Sequence, residues 1–153
     1  MEIKISDLLF ELLNGKQLEQ KQNEAMFLMT LTEDGWPHNA MISVGELTAF
    51  DKSTLRLALW QGTTTTENIK RNKRALLAAV YKGRVNYVRL SLESMGALPD
   101  QKTSLELFNA KVEAFKEDEA KYAEITTGIQ ISLLDSESVL ARWKNTVKAM
   151  RKC

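Results

Sequence analysis

The sequence predicts an α+β fold organised around an antiparallel sheet or barrel, on three observations. Between residues 25 and 93 the apolar residues run continuously or alternate, broken by one short helical stretch. Apolar stripes at helical spacing are kept to the flanks of that block. Strict strand–helix alternation and the G-x-G-x-x-G motif of a doubly wound sheet are both missing.

The elements follow in order. Ile5, Leu8, Leu9, Leu12 and Leu13 share one helical face, with Ser6 or Asp7 as cap and Gly15 as stop. The charged run 16–24 either extends that helix or forms an exposed connection. Met26 to Thr32 reads as an apolar strand, and Asp34-Gly35 is a strong hairpin dipeptide. A return strand is predicted from His38 to Phe50, and Leu55, Leu57 and Leu59 alternate in the next. After Gly62 and four threonines a short helix reaches Lys73, followed by strands 75–81 and 85–93. Thr103 and Glu106 have capping-box spacing, and Leu105, Phe108, Val112 and Phe115 form a stripe that predicts a helix to Tyr122. Ile129, Ile131 and Leu133 alternate in a last strand. Val139, Leu140, Trp143, Val147 and Met150 mark a final helix.

Composition narrows the function classes. The chain of 153 residues is 44% hydrophobic and 27% charged, which predicts one globular domain over 1–153. A net charge of +1 removes any global electrostatic case for nucleic acid or an anionic membrane. The basic run Arg142–Cys153 fits cations complementing the end of a helix better than a nucleic-acid stripe. One cysteine, Cys153, and one histidine, His38, cannot build a zinc cage, so no metal is expected. With no targeting or spanning segment in view, a reducing cytoplasm is the expected compartment.

The most informative stretch is Trp60 to Ile69. Four consecutive threonines between a strand and a helix start gather hydroxyls beside unsatisfied backbone amides, a setting for a helix cap or for an anion. Thr64 and Glu67 have capping-box spacing. His38 reads as a turn-edge residue, and Met26, Met29, Met41 and Met95 read as core filler. Trp36, Trp60 and Trp143 each fit a ring pocket, the core or a subunit interface. No side chain stands out as a general acid or base, so the catalytic residues are unknown.

Leu28-Met29-Thr30-Leu31-Thr32-Glu33-Asp34-Gly35-Trp36-Pro37 and the later Asn68-Ile69-Lys70-Arg71-Asn72-Lys73-Arg74 carry a family resemblance. In this order and spacing the middle of the chain, residues 25–95, resembles the FMN-binding split barrels of the pyridoxamine-5'-phosphate-oxidase-like family. The resemblance implies an antiparallel split β-barrel of about six strands flanked by helices, a homodimer, and FMN held between subunits. It implies that Met41, Ile42 and Ser43 pass beside the flavin ring, with Leu59 close by. Thr63, Thr64 and Thr65 would hold the phosphate. The implied function is an FMN-binding flavoprotein, an oxidoreductase acting on a small molecule.

Departures accompany the resemblance. Arginine or lysine usual at the phosphate is replaced at the aligned positions Ala40, Gly45, Thr64 and Thr65. Leu92 stands where a small residue is usual, and the motif that recognises pyridoxamine phosphate has no counterpart. Charge-assisted contacts are about twice as strong as neutral ones, so this set predicts weak or lost FMN binding. The alternative is a non-catalytic dimeric split-barrel binding protein that has lost or changed its cofactor.

Overall fold

The computed structural model describes residues 2–99 and 104–152. Helix α1 (Asp7–Leu13) starts where the Leu9 N–H donates to Ser6 Oγ, 3.1 Å away, so Ser6 is the cap. Its apolar face, Leu9, Leu12 and Leu13, is fully buried. The charged run that follows folds as a single turn, α2 (Leu18–Lys21), because Leu18 is drawn into the core. The buried Lys21 ammonium donates to the Glu11 carbonyl and to Asn14 Oδ1, satisfying the open end of α1.

Strands β1 (Glu24–Leu31) and β2 (Pro37–Ser43) pair in register from Ala25↔Ser43 to Leu31↔Pro37. At their tip Gly35 takes φ +88°, a left-handed turn that glycine adopts without steric cost. The predicted return strand 38–50 breaks at 44–46. β2 ends at Ser43, and β3 (Leu47–Ala49) starts after a turn held by Glu46 N–H donating to the Ser43 carbonyl. β4 (Thr54–Trp60), α3 (Thr64–Asn72), β5 (Arg74–Tyr81) and β6 (Arg84–Ala97) follow.

The predicted helix after residue 103 is instead a 14-residue strand, β7 (Leu105–Asp118), paired along its length with β4 and β6. A register shift explains the misleading spacing. Arg89 pairs with Ala114 but Leu90 with Val112, so Glu113 is an extra residue that resets the alternation. Phe108, Ala110 and Val112 face inward at even positions, and Phe115 rejoins them at an odd one. That step imitates a helical 3–4 period. Thr103 of the proposed cap lies outside the described residues, and Glu106 sits in the strand. A short β8 (Ile129–Gln130) pairs with the start of β1, and α4 (Ser136–Lys152) closes the described chain.

All pairings are antiparallel, in the order β2-β1-β5-β6-β7-β4-β3. The edge strands β2 and β3 are consecutive in sequence, so the 44–46 turn draws the two edges together and the sheet curls into a half-closed barrel. Inside, Leu28, Ile42, Leu57, Leu77, Val88 and Phe108 belong to one hydrophobic cluster, with α1 packed on β3 and β5 and α4 on β3 and β4. The fold is α+β, as expected. Its eight described strands exceed the six expected because the stripe that predicts a helix forms β7 and the single strand expected over 38–50 is two.

Candidate functional site

Helix α3 organises the site. Thr63 is its cap: the Thr66 N–H donates to Thr63 Oγ1 at 3.2 Å, and the Thr66 hydroxyl donates to the Trp60 carbonyl at 2.6 Å. The capping pair is therefore Thr63 with Thr66, not Thr64 with Glu67. The helix ends at Lys73, whose N–H donates to the Ile69 carbonyl from a left-handed conformation.

A buried polar tie docks α3 onto β1. Asn68, 2% exposed, donates through Nδ2 to Thr30 Oγ1 at 3.0 Å. Its Oδ1 accepts from Arg71 Nη2 at 2.8 Å, and the same nitrogen donates to the Leu31 carbonyl at 2.7 Å. These four hydrogen-bonding groups satisfy one another at the buried contact, which holds α3 against the hairpin tip.

Between helix and hairpin opens a cleft of about 600 Å³, with Gly62, Thr63, Thr64, Glu67, Asn68 and Arg71 on one side. Thr32, Glu33 and Asp34 close the other side. Thr64, Asn68 and Arg71 recur at helical spacing, which brings Arg71 from the last turn into the cleft that holds the first. Reasoning from sequence passed over Arg71 and over the acidic hairpin tip. For Arg71 the signal is its helical spacing from Thr64 and Asn68; the hairpin tip carries no such signal. Lys70 is not in the cleft lining but stands between Glu67, which is, and Glu106, at 3.8 and 3.7 Å, and Arg74 lies on the outward face of the sheet.

The predicted site residues separate into three groups. Thr63 and Thr64 line the cleft, Thr63 with its hydroxyl engaged as the cap. Thr65 is buried at 6% exposure and Leu59 at 5%, both in the body of the fold. On β2, Ile42 and Ser43 are buried while Met41 stands 56% exposed, directly across from exposed Phe27 on β1.

Ser43 is committed to the turn beyond it. Its N–H and hydroxyl both donate to Glu46 Oε1, at 3.0 and 2.8 Å. Burial pushes the Glu46 carboxyl above its ordinary range; these two hydrogen bonds and the Arg142 charge act the other way. Over the same turn lies Trp143 of α4, its ring against Gly45.

The remaining candidates scatter. His38 is half-buried in β2 opposite Thr30. Met26 is core, Met41 and Met95 are exposed, and Trp36 and Trp60 are exposed while Trp143 is buried. Among the described residues no cluster of His, Cys, Asp and Glu could hold a metal ion. No described helix is long and apolar enough to cross a membrane. On α4, Arg151 donates to Thr48 Oγ1 and the Ala49 carbonyl, both at 3.2 Å, and Lys144 pairs with Glu19, so part of the basic run serves the fold.

No protein-family model matches the chain. Solved structures share its fold at low identity. A Lactobacillus delbrueckii protein assigned as a pyridoxamine 5'-phosphate oxidase superposes with a TM-score of 0.60 at 20% identity, over 74% of this chain and 93% of its own. An F420 reductase gives 0.53 at 17%, over 63% and 91%. An FMN-binding protein of Syntrophomonas wolfei gives 0.53 at 14%, over 72% and 88%. Sequence similarity is far stronger to YclD of Bacillus subtilis, an uncharacterised protein 44% identical over 148 residues, 97% of this chain and 96% of that one. The chain thus belongs to the family of YclD, on the split-barrel fold of pyridoxamine-5'-phosphate-oxidase-like proteins.

Proposed function

We propose that this protein binds a flavin-type cofactor as a homodimer and acts as an oxidoreductase on a small molecule in the cytoplasm. The observation that carries the reading is the outward face of the β1–β2 hairpin. Met41 and Phe27 stand side by side there, exposed and apolar, on a split-barrel frame whose helix α3 packs against the same two strands. An apolar strand face of this kind suits a planar ring, and the cleft at the start of α3 suits the side chain attached to it.

In this reading Met41 meets the ring and Ile42 and Ser43 offer backbone, their side chains being committed elsewhere. Thr63, Thr64 and the first amides of α3 face the cofactor's side chain. Thr65 and Leu59 support the fold from behind. A bound flavin would supply the electron-transfer chemistry, and the protein would position it and exclude water. The outward face continues through Leu31, Leu76 and Arg89 around a concavity of about 850 Å³. A second copy of the chain covering that face would bury its apolar residues.

A second reading has its own support. The cleft carries more acidic than basic groups, which favours a dimeric split-barrel binding protein that has lost or changed its cofactor. Visible absorption of the purified protein, followed by titration with added flavins, separates the two. Flavin absorption near one per chain, or saturable binding of added flavin, supports the first. A colourless protein that binds no flavin overturns it in favour of the second.

A further inference from the structure

The charge of the α3 cleft conflicts with a terminal phosphate, and the conflict refines the flavin reading on which this inference rests. Glu33, Asp34 and Glu67 line the cleft with Arg71, and Lys70 stands 3.8 Å from Glu67, which leaves three acids against two cations. Arg71 already spends Nη2 on the Leu31 carbonyl and Asn68 Oδ1, so it serves to dock the helix. The next cation along α3, Lys70, turns to Glu67 and Glu106.

Of the four positions where the resemblance calls for cations, Ala40 and Thr64 carry uncharged side chains and the other two are closed. Thr65 is buried. At Gly45 even a Cβ would sit 2.0 Å from Trp143 Cγ, so no longer side chain can emerge there while α4 is docked. A phosphate monoester carries about −1.5 to −2 charges near neutral pH. What the cleft offers instead is the exposed Thr64 hydroxyl and the partial positive charge of the first α3 amides, which the cleft carboxylates oppose.

We propose that the cleft takes the uncharged, hydroxylated end of a flavin side chain and disfavours a flavin that ends in phosphate. The test is titration of the full-length protein with riboflavin and with FMN, at about 0.01 M and about 1 M salt, where screening lengths are roughly 30 and 3 Å. Riboflavin is expected to bind about tenfold more tightly than FMN at low salt. FMN affinity should rise with salt while riboflavin affinity stays level. Combining Glu33→Gln, Asp34→Asn and Glu67→Gln should bring FMN close to riboflavin, with a melting curve to confirm that the variant folds.

FMN binding that is tighter than riboflavin at low salt and weakens as salt rises overturns the inference while leaving the flavin reading intact. That salt dependence is measured on the unaltered protein, so it decides the matter even if the triple variant fails to fold. Failure of both flavins to bind the parent and the neutralised variant overturns the flavin reading itself, and this inference with it.

Discussion

Gly45→Ala is the sharpest available test of how the barrel is closed. The added Cβ would lie 2.0, 2.3 and 2.4 Å from Trp143 Cγ, Cδ1 and Cδ2, and all three are ring atoms of a side chain only 6% exposed. A flexible tip could swing aside, but an indole held in the core cannot, so α4 must shift or the 44–46 turn must deform. Overpacking a core typically costs about 1–3 kcal/mol, and losing a buried tryptophan outright about 3–5 kcal/mol. Alanine also restricts the unfolded chain, which returns about 0.4–1 kcal/mol. The net expectation is destabilisation by about 2–3 kcal/mol.

For a chain of this length that amounts to a fall of roughly 4–12 °C in melting temperature. Thermal melts followed by circular dichroism give the number, and a double-mutant cycle gives the cause. On a Trp143→Ala background the added methyl enters vacated space, so Gly45→Ala should there be neutral or slightly stabilising. A single Gly45→Ala variant melting within about 2 °C of the parent, well below the predicted fall, refutes the packing argument. So does an equal cost on both backgrounds.

Four further outcomes are expected. Glu46→Gln keeps an acceptor for Ser43 but removes a buried charge whose pKa is raised by desolvation; the protonated form favours folding and that contribution is lost as pH rises through the folded pKa. The variant should therefore melt higher than the parent at neutral pH, with the difference closing below the ordinary carboxyl value of 4.5. Thr63→Val removes the cap of α3 and should cost about 1 kcal/mol in a urea melt. Asn68→Ala strands the buried Thr30 hydroxyl and frees Arg71, for about 1–3 kcal/mol by the same measurement. Phe27→Glu, on the exposed outward face, should leave the fold intact and turn a dimer into a monomer in sedimentation velocity; a monomeric parent refutes the proposed assembly.

What could be read in advance was local. The Ser6 cap and the i, i+3, i+4 leucines specify α1 within one short segment. Asp34-Gly35 between apolar runs specifies the first hairpin, and its register followed. β7 escaped because its bulge at Glu113 depends on pairing with β6, and the sequence of one strand cannot show which residue its neighbour skips. The cleft escaped for a related reason. Arg71, Glu33 and Asp34 become neighbours through the docking of α3 on β1, by Asn68 on Thr30 and Arg71 on the Leu31 carbonyl, contacts that span about 40 residues of sequence. The threonine run was recognised as a feature, but a run of hydroxyls does not say which one caps. Thr63 was selected because its hydroxyl reaches both the Thr66 amide and the Trp60 carbonyl.

If the proposed flavin reading holds, the turn at 44–46 links stability to ligand choice. The strand carrying Met41 ends in this turn, and the turn is held from within by Ser43 on Glu46 and from above by Trp143 on Gly45. The ring of Trp143 occupies the space that a basic side chain at position 45 would need. Placing a cation there therefore requires undocking α4, and the loss of buried tryptophan contacts, about 3–5 kcal/mol, exceeds the roughly 1.5–3 kcal/mol that a charge-assisted hydrogen bond contributes. A basic residue at position 45 and a docked α4 exclude one another. The chain has the docked helix, and no cation can reach out from this turn while α4 stays in place.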